Sequence, residues 1–499
     1  MANSLVLITV DCLRFDHVGF MGYGHSTTPF LDSLAGESIV FQSAIVGGVP
    51  TYYSLPALLA SRHPLKFGRD VVGLSEAEVT LASALKSAGY ATASFTAGNP
   101  YIAPRFGYDL GFDDFRDFLD LEPRATNGSD DSAGWRARLR RLNQATQRIC
   151  NRVPSLGRIY EELYFQYCQR LAAPTAESLD SLRAFPAADV LVDHAKAWLA
   201  RVAGAPFFLW LHFMDPHGPY YPKEEALRAI GHSEIEPQRA RYLNASWTRS
   251  LGTARFHRYR QEILPLYDAC IRWVDQQVSS LVEALKQLQF WDNTVLAITA
   301  DHGEEFLEHG ARFHAPWTMR EELIHVPLLV RSRSVKPVRP KSPISLVDVA
   351  PTLLSAIDSP VPASFQGTSR WRAVRLGEEW EEPAIVDSTE CINPNRSEAR
   401  LAPRVLCVRE KRFKLILRMG SHKEELFDLD ADPGEQHPLP VGTEDGTRRR
   451  LLQHASRHLA AMESGDPKPR LQARLSELQF QIETSAGSLG NQLSTLCES

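Results

Sequence analysis

Residues 4–11, SLVLITVD, decide the fold: an unbroken apolar stretch runs straight into Asp11. Such a run reads as a strand covered on both faces, as in parallel sheets. The pattern returns at 293–301, NTVLAITAD, ending on Asp301. PFFLWLHFM (Pro206–Met214) and HVPLLVRS (His325–Ser332) are two more runs of this kind. A helix lies between the second and third, with Tyr267, Ile271, Val274, Val278, Leu281, Leu285 and Leu288 recurring at three- and four-residue steps. The alternation predicts an α/β fold around a large, mostly parallel central sheet. Open sheets of this type bind ligands beyond the C-terminal ends of their strands. Two aspartates at two strand tips can therefore converge on one cation.

Outward from these strands, the 499-residue chain is 43% hydrophobic, enough for a large domain and a smaller one. We assign residues 1–375 to an α/β catalytic domain, 376–440 to a small β-rich subdomain and 441–499 to a helical tail. A helical insertion occupies about 120–185, opening on ATNGSDDSAG; its IYEELYFQY aromatics are core or pocket lining. RVLCVRE, RFKLILR and ELFDLD, within 404–430, read as short antiparallel strands. Leu471, Leu475, Leu478 and Ile482 make a weak stripe in the tail, the candidate surface for a homo-oligomer.

The net charge is −5 with both signs mixed, which argues against nucleic-acid binding through a basic surface. Arg136, Arg138, Arg140 and Arg141 read as a solvated helix face. Seven scattered cysteines, none in a CxxC pair, suggest neither a zinc ribbon nor a disulfide framework. No leader is expected before Ser4, and no run approaches the roughly 18 apolar residues of a membrane span. The expectation is a cytoplasmic protein without a transmembrane anchor.

Four segments carry candidate chemistry. DHGEE at Asp301 pairs a hard oxygen with the imidazole of His302, a set suited to Mn, Zn, Mg or Ca. GGVPTYYSLPALLASRHP turns at Gly47, Gly48 and Pro50, and a helix then begins at Thr51 or Ser54. A hydroxyl there meets the positive end of the helix dipole, which favours an oxyanion or an anionic substrate. A neighbouring cation would make that hydroxyl nucleophilic. HFMDPHGPYYP offers His217 in a stiff loop, suited to protonating a leaving oxygen. His212, inside the strand, reads as a core histidine. GEEFLEHGARFHAPW adds His309 and His314 just after the Asp-His pair.

Together these segments resemble the sulfatase branch of the alkaline phosphatase superfamily. VLITVDCLRFDHVGFMGYGHSTTPFLDSLA is similar to its first metal motif. ATASFTAGNPYIAPRFGYDLGFDDF, PFFLWLHFMDPHGPYYP, ITADHGEEFLEHG, SLVDVAPTLL and KRFKLILRMGSHKEELFDLDADPGE follow in the family's order. The resemblance spans roughly 4–438 outside the insertion. It implies an alkaline-phosphatase-like fold with a small C-terminal antiparallel subdomain. It implies one or two divalent ions held by Asp11, Asp301, His302 and Thr51. Thr51 would be the nucleophile and His217 the group near the leaving oxygen; Asn99, His314 and His309 would bind substrate.

Two departures qualify it. Sulfatases carry a Cys or Ser, oxidised to formylglycine, in a C/S-x-P-x-R motif. The register set by PALLASR puts Thr51 at that position and Leu55 where the Arg belongs. Threonine cannot become formylglycine. A competing register starts at Ser54, with Leu58 fifth. Cys12 replaces a usual second Asp; it is a soft ligand or structural filler. The resemblance therefore implies a hydrolase of phosphate- or sulfate-type esters, phosphodiesters or phosphonate monoesters foremost, acting through a covalent threonine intermediate. Group transfer at the same site, sulfatase chemistry without formylglycine, and a silent ligand-binding relative are the alternatives. The partner in each case is a small anionic ester.

Overall fold

The computed structural model describes residues 3–68, 72–119, 178–202, 204, 206–247, 253–390 and 402–462. Most of the assigned insertion and the whole stripe at Leu471–Ile482 lie outside these residues. The described residues form two compact units. One is built from the described residues within 1–119, 185–217 and 270–499, the other from those within 120–184 and 218–269.

The first unit holds an eight-stranded sheet. Its strands are β1 (Ser4–Val10), β2 (Ile39–Ile45), β3 (Ala91–Thr96), β4 (Asp114–Arg116), β5 (Phe207–Phe213), β6 (Thr294–Ala300), the short β7 (Glu305–Phe306) and β8 (Arg312–Phe313) set apart as a two-stranded ladder, then β9 (His325–Arg331) and β10 (Ile344–Ser345). The order across the large sheet is β10-β2-β9-β6-β1-β5-β3-β4. Only β9 runs against its neighbours. The sheet is thus mostly parallel, as the apolar runs require. Every residue of β1, β5, β6 and β9 is buried, because covered strands have no solvent face.

Register brings the strand tips together. Val10 pairs with Ala300 on one side and Phe213 on the other, and Thr96 pairs with His212. The chain segments that follow β1, β6, β5 and β3 therefore leave the sheet along one edge.

The helix Thr253–Gln287 buries Tyr267, Ile271, Val274, Val278, Leu281 and Leu285 as the periodicity requires. Leu288 departs from the stripe: it lies past the helix end and is exposed, because the helix stops one residue earlier. In the second unit, Asn244 is buried and its amide clasps Tyr220, accepting from its N–H at 2.7 Å and donating to its carbonyl at 3.0 Å.

A four-stranded antiparallel sheet follows: β11 (Ala384–Thr389), β12 (Arg404–Arg409), β13 (Phe413–Arg418) and β14 (Lys423–Asp428), in that spatial order. One face packs Leu406, Val408, Leu415, Leu417 and Leu426 against Leu451, Ala455 and Leu459 of the helix Asp445–Ala461. The same face also carries charge at its β11 edge, where Asp387 pairs with Leu406. Asp387 is fully buried between Arg404, 3.2 Å away, and His458 of that helix, 3.1 Å away. His63 stacks edge-on against His458 at 4.6 Å.

Burial, with the charge of His458 adding to it, pushes His63 down to about 3. The folded protein thus keeps His63 neutral through a range where the unfolded chain protonates it, near 6.5. Stability from this site is complete above the unfolded value and is lost as pH falls from about 6.5 toward 3. Arg404 and the His458 hydrogen bond hold Asp387 below the usual carboxylate range against burial, which adds acid sensitivity of the same sign. We expect His63→Gln to flatten the fall in Tm between pH 7 and pH 4. Thermal melts of both proteins across that range check this; parallel curves would contradict it.

Candidate active site

Thr51 begins the helix Thr51–Ala60, every residue of which is buried. Pro50 stands at the N-cap position and offers no side-chain cap. The turn before it is clamped from a distance. Asp387 donates its backbone N–H to the Gly47 carbonyl at 2.9 Å, and the Ser388 hydroxyl donates to the Val49 carbonyl. Gly48 permits this approach: a Cβ there would lie 2.7 Å from the Asp387 carbonyl oxygen. Ser54, one turn into the helix, spends its hydroxyl on the Asp301 carbonyl at 2.5 Å.

Asp11, Asp301 and His302 are fully buried, and each offers a ligand atom within 4.8 Å of the others. The His302 Nδ1 lies 2.9 Å from the Gly303 carbonyl, which can only accept, so Nδ1 carries the hydrogen. Its Nε2 lone pair then faces Thr51 Oγ1 at 3.2 Å, Asp301 Oδ2 at 3.6 Å and Asp11 Oδ1 at 3.8 Å. Thr51 Oγ1 is also 3.4 Å from Asp11 Oδ2.

Asp301 Oδ2 is buried without a hydrogen-bond partner. Burial and the charge of Asp11 raise the Asp301 carboxyl above its ordinary value. Burial would raise Asp11 too, but the hydrogen bond from His212 and the nearby His217 and His302 hold it well below. Two carboxylates and an imidazole lone pair facing one small volume suit a divalent cation. The donor set therefore fits the metal that the sequence implied.

The remaining candidates gather nearby, with one exception. Asn99 accepts Tyr101 N–H on Oδ1 at 2.9 Å, which directs its Nδ2 to Asp11 Oδ2 at 3.2 Å. His217 sits with Asp11 and Cys12 in a second potential ligand group. His314 has its ring centroid 5.4 Å from that of His217 and 4.8 Å from that of His302. Burial lowers His314, but Glu304, Asp11 and Asp301 outweigh it and raise its pKa overall. Glu304 is fully buried and approaches His314 Nδ1 to 3.4 Å. His309 is the exception: its Nε2 faces Glu322 at 3.4 Å.

Cys12 lies among these groups, donating to Asp11 Oδ1 at 3.1 Å. Burial and the surrounding carboxylates push its thiol well up, which keeps it protonated rather than a ready thiolate ligand.

Glu304 escaped the sequence reading, and His212, read there as a core histidine, also reaches the site. His212 is a core histidine through Nδ1, 2.8 Å from Thr9 Oγ1, yet its Nε2 stands 3.4 Å from Asp11 Oδ2. The available signal was register: His212 pairs with Thr9, two residues before the Asp11 tip.

Among the described residues no helix is long and apolar enough to cross a membrane. Residues 3–359 match the family model described as Sulfatase. Residues 308–461 match one described as N-sulphoglucosamine sulphohydrolase, C-terminal. The chain is 27% identical over 281 residues to arylsulfatase K of Canis lupus familiaris, covering 49% of this chain and 50% of that one. It is 27% identical over 245 residues to choline-sulfatase of Rhizobium meliloti (strain 1021), covering 46% and 45%. It spans about half the length of these curated relatives. Phosphonate monoester hydrolase of Agrobacterium radiobacter shares the fold, with TM-score 0.62 at 19% identity over 92% of this chain and 95% of that one. So does a 2-O GAG sulfatase, with TM-score 0.61 at 19% identity over 95% and 96%.

Proposed function

The chain belongs to the sulfatase family of ester hydrolases, and on that footing we propose that it is a metal-dependent hydrolase using Thr51 as nucleophile. Phosphodiesters and phosphonate monoesters are the leading substrates. One observation carries this reading. The Thr51 hydroxyl, at the start of a buried helix, sits 3.2 Å from His302 Nε2 and 3.4 Å from Asp11 Oδ2.

A divalent ion held by Asp11, Asp301, His302 and Thr51 would lower the Thr51 hydroxyl pKa and draw charge from the ester oxygens. The protein does the rest. Thr51 Oγ1 gives its proton to solvent water and bonds to phosphorus or sulfur, while the bond to the leaving oxygen breaks with its electron pair. His217 gives that oxygen a proton. Asn99 Nδ2 and His314 hold nonbridging oxygens. Water then attacks the threonine ester and loses a proton to His217, while the bond to Thr51 Oγ1 breaks and that oxygen takes a proton back from solvent. Ser54 is not the nucleophile in this scheme, because its hydroxyl is occupied by the Asp301 carbonyl.

We expect nitrophenyl esters to report the order of preference. Purified enzyme supplied in turn with Mn, Zn, Mg and Ca should hydrolyse bis-nitrophenyl phosphate and a nitrophenyl phosphonate faster than nitrophenyl phosphate or sulfate. Inertness toward all four with metal bound would defeat the hydrolase reading and favour a silent binding relative.

A further inference from the structure

We propose that His309, Glu322 and Glu435 form a second divalent-cation site, distinct from the Asp11 group and suited to a zinc-type ion. Each offers one ligand atom, and these atoms all lie within 4.8 Å of one another.

Two unmet atoms support it. His309 Nε2 and Glu322 Oε2 are buried without a hydrogen-bond partner. The His309 side chain is only 10% exposed and that of Glu435 only 1%. His309 Nε2 and Glu322 Oε2 approach to 3.4 Å yet are not aligned as donor and acceptor. A simple ion pair would place the ring N–H along that line. Buried donor atoms that face one point with no hydrogen bond between them have the geometry of ligands.

The surroundings hold the donors in place. Glu435 Oε2 accepts the Glu321 N–H at 2.7 Å, which fixes the carboxylate with Oε1 turned to Lys414 and to the other two donors. Lys414 Nζ stands 2.8 Å from Glu435 Oε1, but it is shared with Glu321 at 3.1 Å; Arg320 is 3.9 Å away. These cations offset part of the charge and leave Glu322 to be met by His309 or an ion. Glu322 is anchored by its own carbonyl, which accepts the Glu304 N–H at 3.1 Å. One imidazole with two carboxylates matches zinc better than magnesium, which prefers oxygen and water. Such an ion would tie the β7–β8 turn, which leads to His314, to the loop beyond β14.

Metal content of the full-length protein, loaded with zinc and dialysed free of excess, tests this. Asp301→Asn should retain one zinc per chain, and Asp301→Asn combined with Glu322→Gln should retain none. In the otherwise unchanged protein, Glu322→Gln or His309→Ala should each lower the count by one relative to the parent. That difference reads the second site whether or not Asp301 is a ligand of the first. An unchanged count in Glu322→Gln and His309→Ala would overturn the proposal. Circular dichroism confirms that each variant is folded, and the near-isosteric Glu322→Gln decides the matter if His309→Ala does not fold.

Discussion

Thr51→Ala loses about 10³-fold or more in kcat on the preferred ester, and its fold survives. Removing a nucleophile leaves only direct attack by water, and comparable deletions cost that much or more. The structural cost is small. Thr51 does not cap its helix, and its hydroxyl contacts at 3.2 and 3.4 Å are long, so about 1 kcal/mol is at stake. Thr51→Ser keeps the hydroxyl and should retain much of the activity. Ser54→Ala should act mainly on stability, through the lost bond to the Asp301 carbonyl. Steady-state kinetics and thermal melts on the three variants separate these outcomes. Wild-type turnover in Thr51→Ala would remove the nucleophile from the scheme.

Asp301→Asn loses one tightly held cation per chain and nearly all activity, yet its metal-free form melts higher than metal-free wild type. The two effects share one cause. Without an ion, Asp301 is fully buried beside Asp11, and its carboxyl is raised. A raised carboxyl costs stability once pH exceeds the unfolded value, and the cost grows until the folded pKa is passed. Asparagine removes that charge, for a gain of about 1–3 kcal/mol at neutral pH. With metal, the sign reverses, because wild type gains a ligand that the variant binds poorly. Melts in chelator and in added metal, with metal analysis, check both halves. A variant that melts lower in chelator would show that Asp301 is ordinary structural carboxylate.

Strands β1, β5, β6 and β9 were legible because both faces are covered, so the apolar runs are continuous; β2, β3, β4 and β10 of the same sheet were not read. Asp11 and Asp301 were legible as strand tips, though only the register of Val10 with Ala300 makes them neighbours. Sheet order brings Asn99 and His217 to the same edge, and no local pattern encodes that order. His212 shows the limit. On a strand buried on both faces, a histidine aimed at Asp11 and one facing plain core look alike in sequence. β11 was missed because AIVDST turns polar halfway. Its Asp387 is tolerable only beside Arg404 and His458, which are distant in the chain. His309 was expected to contact substrate from its place after the Asp-His pair. In the structure it faces Glu322, because β7 and β8 fold the intervening turn back.

The clamp on the Gly47–Pro50 turn sets an order in time. The hydroxyl that closes on Val49 belongs to a residue 339 positions later. A ribosome will therefore have made the first strand, the Thr51 helix and the Asp301 tip well before the residues that secure the turn exist. A chain still lacking β11 holds the whole catalytic set without the support that aims Thr51, so competence should arrive late, when that strand docks.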